Sequence, residues 1–254
     1  MQNVKKFLQE IKVFDTEFTK IRIGAKNDGG YIALKELCKT TKNVYSFGIG
    51  DDPSFELDYG SRFPVENIKM FDPTINSVPI SDERYEFLKQ GAGNGYAPIK
   101  DIPMNSLLKM DIEWDEWDAL QKIADSNLCS FSQILVEFHM VHSEMKHDMT
   151  PYFTNVWEHA LGNINNSIYG MYCEVLKRLN ADFYIFHIHP NNSLQQIKLG
   201  GYIFPPLMEF SFVRKDLVKN ARPTNIKMFP VEGLDNRNKT DRAGILCFYP
   251  LVKE

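Results

Sequence analysis

Val4, Phe7, Leu8 and Ile11 recur at helical spacing, so residues 3–13 are expected to form an opening helix. After that the pattern changes, and short apolar runs alternate with longer amphipathic stretches. "NVYSFGIG", "NIKMFD", "SLLKMDIE", "QILVEFH" and "DFYIFHIH" each end in glycine, acid or imidazole. A buried parallel strand reaches its C-terminal loop in this way. Helical stretches fall between the runs, starting at Ser54 after Pro53 and covering 115–125 and 166–180. "LMEFSFVRKD" and "GILCFYP" supply late strands. No internal repeat or low-complexity linker interrupts the series. Such alternation predicts an α/β fold with a doubly wound, mostly parallel sheet and helices on both faces. Ligands in such sheets sit beyond the strand C-termini, where these polar endings gather.

The chain has 254 residues, which suits one domain over 1–254, with a helical segment 1–20, a core 20–215 and a C-terminal extension 216–254. A net charge of −4 and a pI near 5.9 come with no Lys/Arg stripe, which excludes a duplex nucleic acid as partner. Cys38, Cys129, Cys173 and Cys247 are far apart and form no CxxC, as in a reduced cytosolic protein. No run approaches the length of a membrane span, and charges interrupt the first segment where a signal peptide would be apolar. A soluble cytoplasmic protein is expected, and a homo-oligomer is left open.

"SFGIGDD" places Gly48 and Gly50 between a strand and a helix, followed by Asp51. Glycines there let the backbone turn tightly and approach a ligand closely, and an acid ending the next strand can hold a ribose diol. Asp72 in "KMFDP" is that acid. Position 53 is Pro, where a dinucleotide fingerprint needs its third glycine. That favours S-adenosylmethionine, which has no pyrophosphate, over NAD. Upstream, "RIGAKNDGGYI" reads foremost as a hairpin turn. Asp28 and Gly29 are cofactor candidates within it, while Arg22 and Lys26 suit an anionic substrate or the methionine carboxylate.

Asp111 and Glu113 share one side of a strand end, as do Glu137 with His139 and His187 with His189. One such end is ordinary solvated or hydrogen-bonded surface. Three converging ends with oxygen and nitrogen donors suit Mg²⁺ or Mn²⁺, and imidazole tilts the choice toward Mn²⁺. Asp111, Glu137, His139, His187 and His189 are the metal candidates. His139, His187 and Glu137 are also candidates for acid–base work, and Glu113, Asn191, Asn192 and Arg22 for substrate contacts. His142, His147 and His159 read as surface or lid residues. Trp114 and Trp117 read as helix packing.

Taken in order, "RIGAKNDGGYI", "YSFGIGDDPSFE", "FDPT", "LLKMDIEWDEWDAL", "QILVEFH" and "FHIHPNN" followed by "MEFSFVRK" resemble the S-adenosylmethionine-dependent methyltransferases of the FkbM type. The nearest likeness is to bacterial enzymes that O-methylate sugars of capsules and surface glycans, and it spans about residues 20–215. It implies a class I methyltransferase fold, Rossmann-like, with cofactor at Gly48, Gly50 and Asp72 and a divalent metal beside the acceptor hydroxyl. The family's acidic motif usually continues Asp-x-Glu-Gly, and here Trp114 takes the glycine's place, so a differently shaped loop is expected. "GAGNG" at 91–95 is the candidate for adenine contacts.

The expected activity is methyl transfer to a sugar hydroxyl, on a glycan or a nucleotide-activated sugar. Two rivals use the same glycines and acid: an NAD(P)-dependent sugar oxidoreductase or epimerase, and a non-catalytic nucleotide-binding partner. The first lacks the third glycine and a Tyr-x-x-x-Lys pair; the second needs the polar strand ends to be idle.

Overall fold

The computed structural model describes residues 2–92, 99–140 and 164–252. The anticipated histidines His142, His147 and His159, and most of "GAGNG", lie outside them. An antiparallel hairpin, β1 (Lys20–Gly24) and β2 (Gly30–Leu34), precedes the main sheet. The sheet strands are β3 (Asn43–Phe47), β4 (Asn67–Phe71), β5 (Tyr85–Leu88), β6 (Ser106–Met110), β7 (Phe131–His139), β8 (Phe183–Pro190) and, after the small hairpin β9 (Ile197–Leu199) and β10 (Tyr202–Phe204), β11 (Leu207–Arg214). Their order across the sheet is β5-β4-β3-β6-β7-β11-β8. From β5 to β7 neighbours run parallel, and β11 is antiparallel to both β7 and β8. This is a mixed seven-stranded α/β sheet of Rossmann-like character.

Two apolar clusters cover it. On one side, α1 (Gln2–Glu10), α3 (Glu116–Lys122) and α4 (Ile164–Asp182) pack against Ile134, Val136 and Phe138 of β7. Phe7 of α1 meets the rings of Trp117, Tyr169 and Tyr172 at 5.4–5.9 Å, so the opening helix is anchored by aromatic burial. Trp117 therefore packs a helix, as its spacing suggested. On the other side, β1, β2 and α2 (Ser54–Arg62) cover Leu107, Leu135 and Val213. Strand alternation puts Gln133, Glu137 and His139 on this second side, with Leu135.

Three elements depart from expectation. "YEFL" forms β5, although it is short and half polar. "GILCFYP" gives only Cys247–Phe248, paired with Met228–Phe229 outside the main sheet. In β8, the register shifts so that Ile185 faces Phe212 while His187 faces Ser211, leaving Phe186 as the extra residue. Phe186 accordingly joins the hairpin-side cluster and Ile188 the opposite one.

Candidate functional site

The C-terminal ends of β3, β4, β6 and β7 and the start of antiparallel β11 meet along one edge of the sheet. Gly48 leaves β3 with φ 77°, and a Cβ there would lie 1.5 Å from the Asp111 carbonyl oxygen. Only glycine permits the loops after β3 and β6 to press together like this. Gly50, at φ 57°, has open space around it. Asp72 holds this turn: its Oδ2 accepts from Ile49 N at 2.9 Å and Gly50 N at 2.8 Å. Its Oδ1 accepts from the amide and hydroxyl of Thr74, at 2.7 and 2.5 Å. Burial pushes this carboxyl up, but the four hydrogen bonds outweigh it and hold the group below its usual range.

Two cavities adjoin here. One of about 310 Å³ is lined by Gly48, Gly50, Asp72, Thr74, Ala92 and Ile112, among others. The other, about 440 Å³, is lined by acids, His139, Trp114, Asn191 and Lys239, among others. Both are of a size that takes a small-molecule ligand. Gly48, Ile49, Asp111 and Glu113 border both, so the two spaces share a wall.

From Asp111 of that wall into the larger cavity, single donor atoms of Asp111, Glu137 and His139 lie within 4.8 Å of one another. Each is fixed from outside. Tyr31 of β2 donates its hydroxyl to Asp111 Oδ2 at 2.8 Å. Asn191 donates to Glu137 Oε1 at 2.5 Å. His139 Nδ1 lies 3.1 Å from Glu116 Oε1, and its Nε2 faces Glu113 at 3.3 Å and Glu137 at 3.9 Å. Glu116 Oε1 also accepts from the amides of Ile112 and Trp114. It thus ties the turn after β6 to the imidazole at the end of β7.

The charges are compressed. Burial and the neighbouring Asp111 push Glu137 well above the usual carboxylate range. Burial alone would lower His139, but Glu116, Glu113 and Glu137 outweigh it and hold the imidazole well above its ordinary value. Protons and a divalent cation would therefore compete for these groups. Two carboxylates and an imidazole, unmixed with thiolate, are a donor set that fits Mg²⁺ or Mn²⁺. Lys109 sits beside them, donating to the Gly48 carbonyl at 2.5 Å and lying 5.5 Å from the Tyr31 ring centre.

His187 and His189 are elsewhere. Strand β11 intervenes, so Glu137 faces Glu209, and Glu209 in turn faces His189. His187 Nε2 pairs with Asp235 at 2.8 Å, and His189 Nε2 with Asn238 at 3.0 Å. Glu209 takes a hydrogen bond from Asn238 at 2.8 Å, completing a buried network under the 228–240 segment. The structure thus brings Asp111, Glu137 and His139 together and leaves both later histidines out, because an antiparallel strand separates their edge from β7.

No family model and no curated protein matches the chain. Among solved structures it resembles one described as "Putative hemolysin from Streptococcus thermophilus", at 12% identity over 74% of this chain and 72% of that chain, with a TM-score of 0.38. Another, a "putative RNA methyltransferase" from Pyrococcus horikoshii, matches at 12% identity over 84% and 99%, with a TM-score of 0.31.

The remaining candidates are placed as follows. Asn191 lines the larger cavity, but Asn192 is consumed by the carbonyls of Lys239, Arg242 and Ala243 and by the Lys239 amide. Arg22 braces its own hairpin turn, donating to Ala25 O and Asn27 O, and lines neither cavity. Asp28 and Gly29 border the larger cavity instead of the one at Gly50, with Asp28 bound to Lys239 at 2.8 Å. Asp51 is exposed and lines neither. Trp114 holds a left-handed backbone, φ 87°, so the turn keeps a glycine-like conformation despite its bulk. Glu116, Tyr31, Lys109 and Glu209 were not singled out from sequence. Glu116 alone left a signal, an acid at a helix start three residues after Glu113, and it reads more simply as a solvated first-turn charge.

Proposed function

We propose that the protein is an S-adenosylmethionine-dependent O-methyltransferase with a doubly wound class I sheet, acting on a sugar hydroxyl of a surface glycan or its nucleotide-activated precursor. The observation that carries this reading is the pair of cavities sharing Gly48, Ile49, Asp111 and Glu113. The smaller cavity suits the nucleoside cofactor, with ribose hydroxyls taking the place of the Thr74 hydroxyl on Asp72. The larger takes the acceptor, and the shared wall is where methyl and oxygen meet. The order of motifs along the sequence supports the sugar acceptor.

In this reading the chain's residues align the acceptor oxygen with the sulfonium methyl and relieve it of its proton as the new C–O bond forms and the C–S bond breaks. Asp111, Glu137 and His139 would hold a divalent cation, which when bound supplies a Lewis acid for the acceptor hydroxyl. Asn191 and Tyr31 fix the two carboxylates, and Glu116 fixes the imidazole so that Nε2 faces the junction. The decisive experiment is calorimetry with S-adenosylhomocysteine and NAD, followed by mass-gain assays on nucleotide-activated sugars and capsule-type glycans. Binding of S-adenosylhomocysteine with methyl gain on a sugar supports the reading. NAD binding without S-adenosylhomocysteine binding, or methylation of RNA or peptide alone, sinks it.

A further inference from the structure

Within β6, Leu107 and Lys109 share the hairpin side of the sheet, where Leu107 joins the apolar cluster. Lys109 lies between Ser46 of β3 and Leu135 of β7, in the middle of the sheet, and is 6% exposed. Lysine is almost never buried this far without a partner of opposite charge. Arg214, the other buried Lys or Arg among the described residues, has one, pairing with Asp216 at 2.6 Å. Lys109 has none. The described residues give its ammonium the Gly48 carbonyl at 2.5 Å and the Tyr31 ring, centred 5.5 Å away. An ammonium carries three donors, so two are left over.

Lys109 also lines the larger cavity, and the acids nearby do not answer it. Tyr31 donates to Asp111, Asn191 to Glu137, Lys239 to Asp28 and the Ser54 amide to Asp52, while Glu113 faces His139. Glu56 takes the Ser46 hydroxyl, and burial raises its carboxyl against the pull of Lys109. A buried charge with no counter-charge destabilises a fold, and at the wall of a cavity a ligand can supply what is missing. An oxyanion does so, and a divalent cation held by Asp111, Glu137 and His139 would add to the attraction. Gly48, whose carbonyl Lys109 holds, borders both cavities, so the ammonium stands beside the wall that they share.

We propose that Lys109 is the anion anchor of the site, its two remaining donors binding a carboxylate or phosphate of a ligand in the larger cavity. Two sources bring such a group there. One is the carboxylate at the amino-acid end of S-adenosylmethionine, reaching past Gly48 from the smaller cavity. The other is an anionic group on the acceptor, such as the phosphates of a nucleotide-activated sugar. The inference deepens the proposed function and rests on it for the identity of the ligands, but not for the unpaired charge. A backbone carbonyl is satisfied by any donor, so the Gly48 contact alone does not call for an ammonium.

The test uses the full chain and its Lys109→Met and Lys109→Arg variants, with Mg²⁺ present, read by calorimetry. The probes are S-adenosylhomocysteine, its decarboxylated analogue, and inorganic phosphate added with and without S-adenosylhomocysteine. Lys109→Met should weaken S-adenosylhomocysteine or phosphate at least about tenfold and leave the decarboxylated analogue within about twofold. Lys109→Arg should recover most of that loss. Loss on S-adenosylhomocysteine identifies the cofactor's carboxylate as the bound group, and loss on phosphate identifies the acceptor's. A weakening shared equally by the decarboxylated analogue, or no weakening at all, overturns the anchor, because Lys109 then only braces the Gly48 turn. Should Lys109→Met not fold, the wild type decides. Equal affinity for S-adenosylhomocysteine and its decarboxylated analogue, together with no uptake of phosphate, overturns the anchor; a preference for either oxyanion that survives in Lys109→Arg supports it. Phosphate uptake that depends on Lys109, in a protein that binds no S-adenosylhomocysteine, keeps the anchor and sinks the cofactor reading.

Discussion

Glu116 Oε1 lies 3.1 Å from His139 Nδ1, with both side chains buried, and this contact decides which imidazole nitrogen is presented to the cavity. An Nδ1–H donating to a carboxylate leaves the Nε2 lone pair for a ligand. Glu116→Gln should therefore weaken Mn²⁺ binding about 10–100-fold while S-adenosylhomocysteine affinity stays within twofold. Titration of Mn²⁺ by calorimetry checks it. Equal loss of both ligands would mean that Glu116 merely supports the turn.

The metal itself is tested by removal. EDTA-treated enzyme should lose turnover and recover it with Mn²⁺, and Asp111→Ala should lose turnover while still binding S-adenosylhomocysteine. Full activity after chelation would remove the cation from the reading.

Gly48 and Gly50 separate two roles within one turn. Gly48→Ala drives a methyl into the Asp111 carbonyl at 1.5 Å and should prevent folding or cost at least about 3 kcal/mol. Gly50→Ala meets no atom within 4 Å, and only its φ of 57° is strained, for about 1 kcal/mol. Denaturant melts of the two variants give the comparison; equal losses would contradict the packing described.

Asp72→Ala removes an acceptor used four times by its own loop. Affinity for S-adenosylhomocysteine should fall at least about tenfold and the melting temperature should fall with it. An unaltered affinity would remove Asp72 from the cofactor side.

The His187–Asp235–His189 group makes stability depend on pH. Burial raises the Asp235 carboxyl, but the two imidazoles outweigh that and hold it well below its usual range. A lowered carboxylate stabilises the fold above its unfolded value near 4 and loses that contribution as pH falls toward its folded value. Burial lowers His187, so its contribution is present above about pH 6.5 and lost below. His189 goes the other way: burial would lower it, but Glu209 and Asp235 outweigh that and raise it, so its contribution is complete below about 6.5 and fades as pH rises. Asp235→Asn should cost about 1–3 kcal/mol near pH 6, and its gap from wild type should narrow toward pH 3. Melts across that range decide it; a constant gap would show that the charge contributes nothing.

The strand ends were legible because an apolar run closed by glycine or acid has one economical reading in a parallel sheet. Asp111, Glu137 and His139 were found that way, and alternation correctly paired His187 with His189 on one face. What alternation cannot show is lateral distance. "LMEFSFVRK" was recognised as a strand, but nothing local says that it inserts between β7 and β8. Asp235, the partner of His187, lies 48 positions away. Trp114 looked like helix packing because a tryptophan near another at helical spacing normally is; its backbone conformation is set by the turn around Glu116, a contact between elements.

Asp28 and Lys239 meet at 2.8 Å on the border of the larger cavity, 211 positions apart in sequence. The glycine turn and Asp72 emerge from the ribosome early, whereas Lys239 follows Asp28 by roughly 10–40 s at ordinary synthesis rates. A chain clipped before Lys239 would therefore keep every residue that lines the smaller cavity and lose part of the border of the larger one. Proteolytic trimming of the C-terminal segment would thus act on one space of the pair and spare the residues of the other.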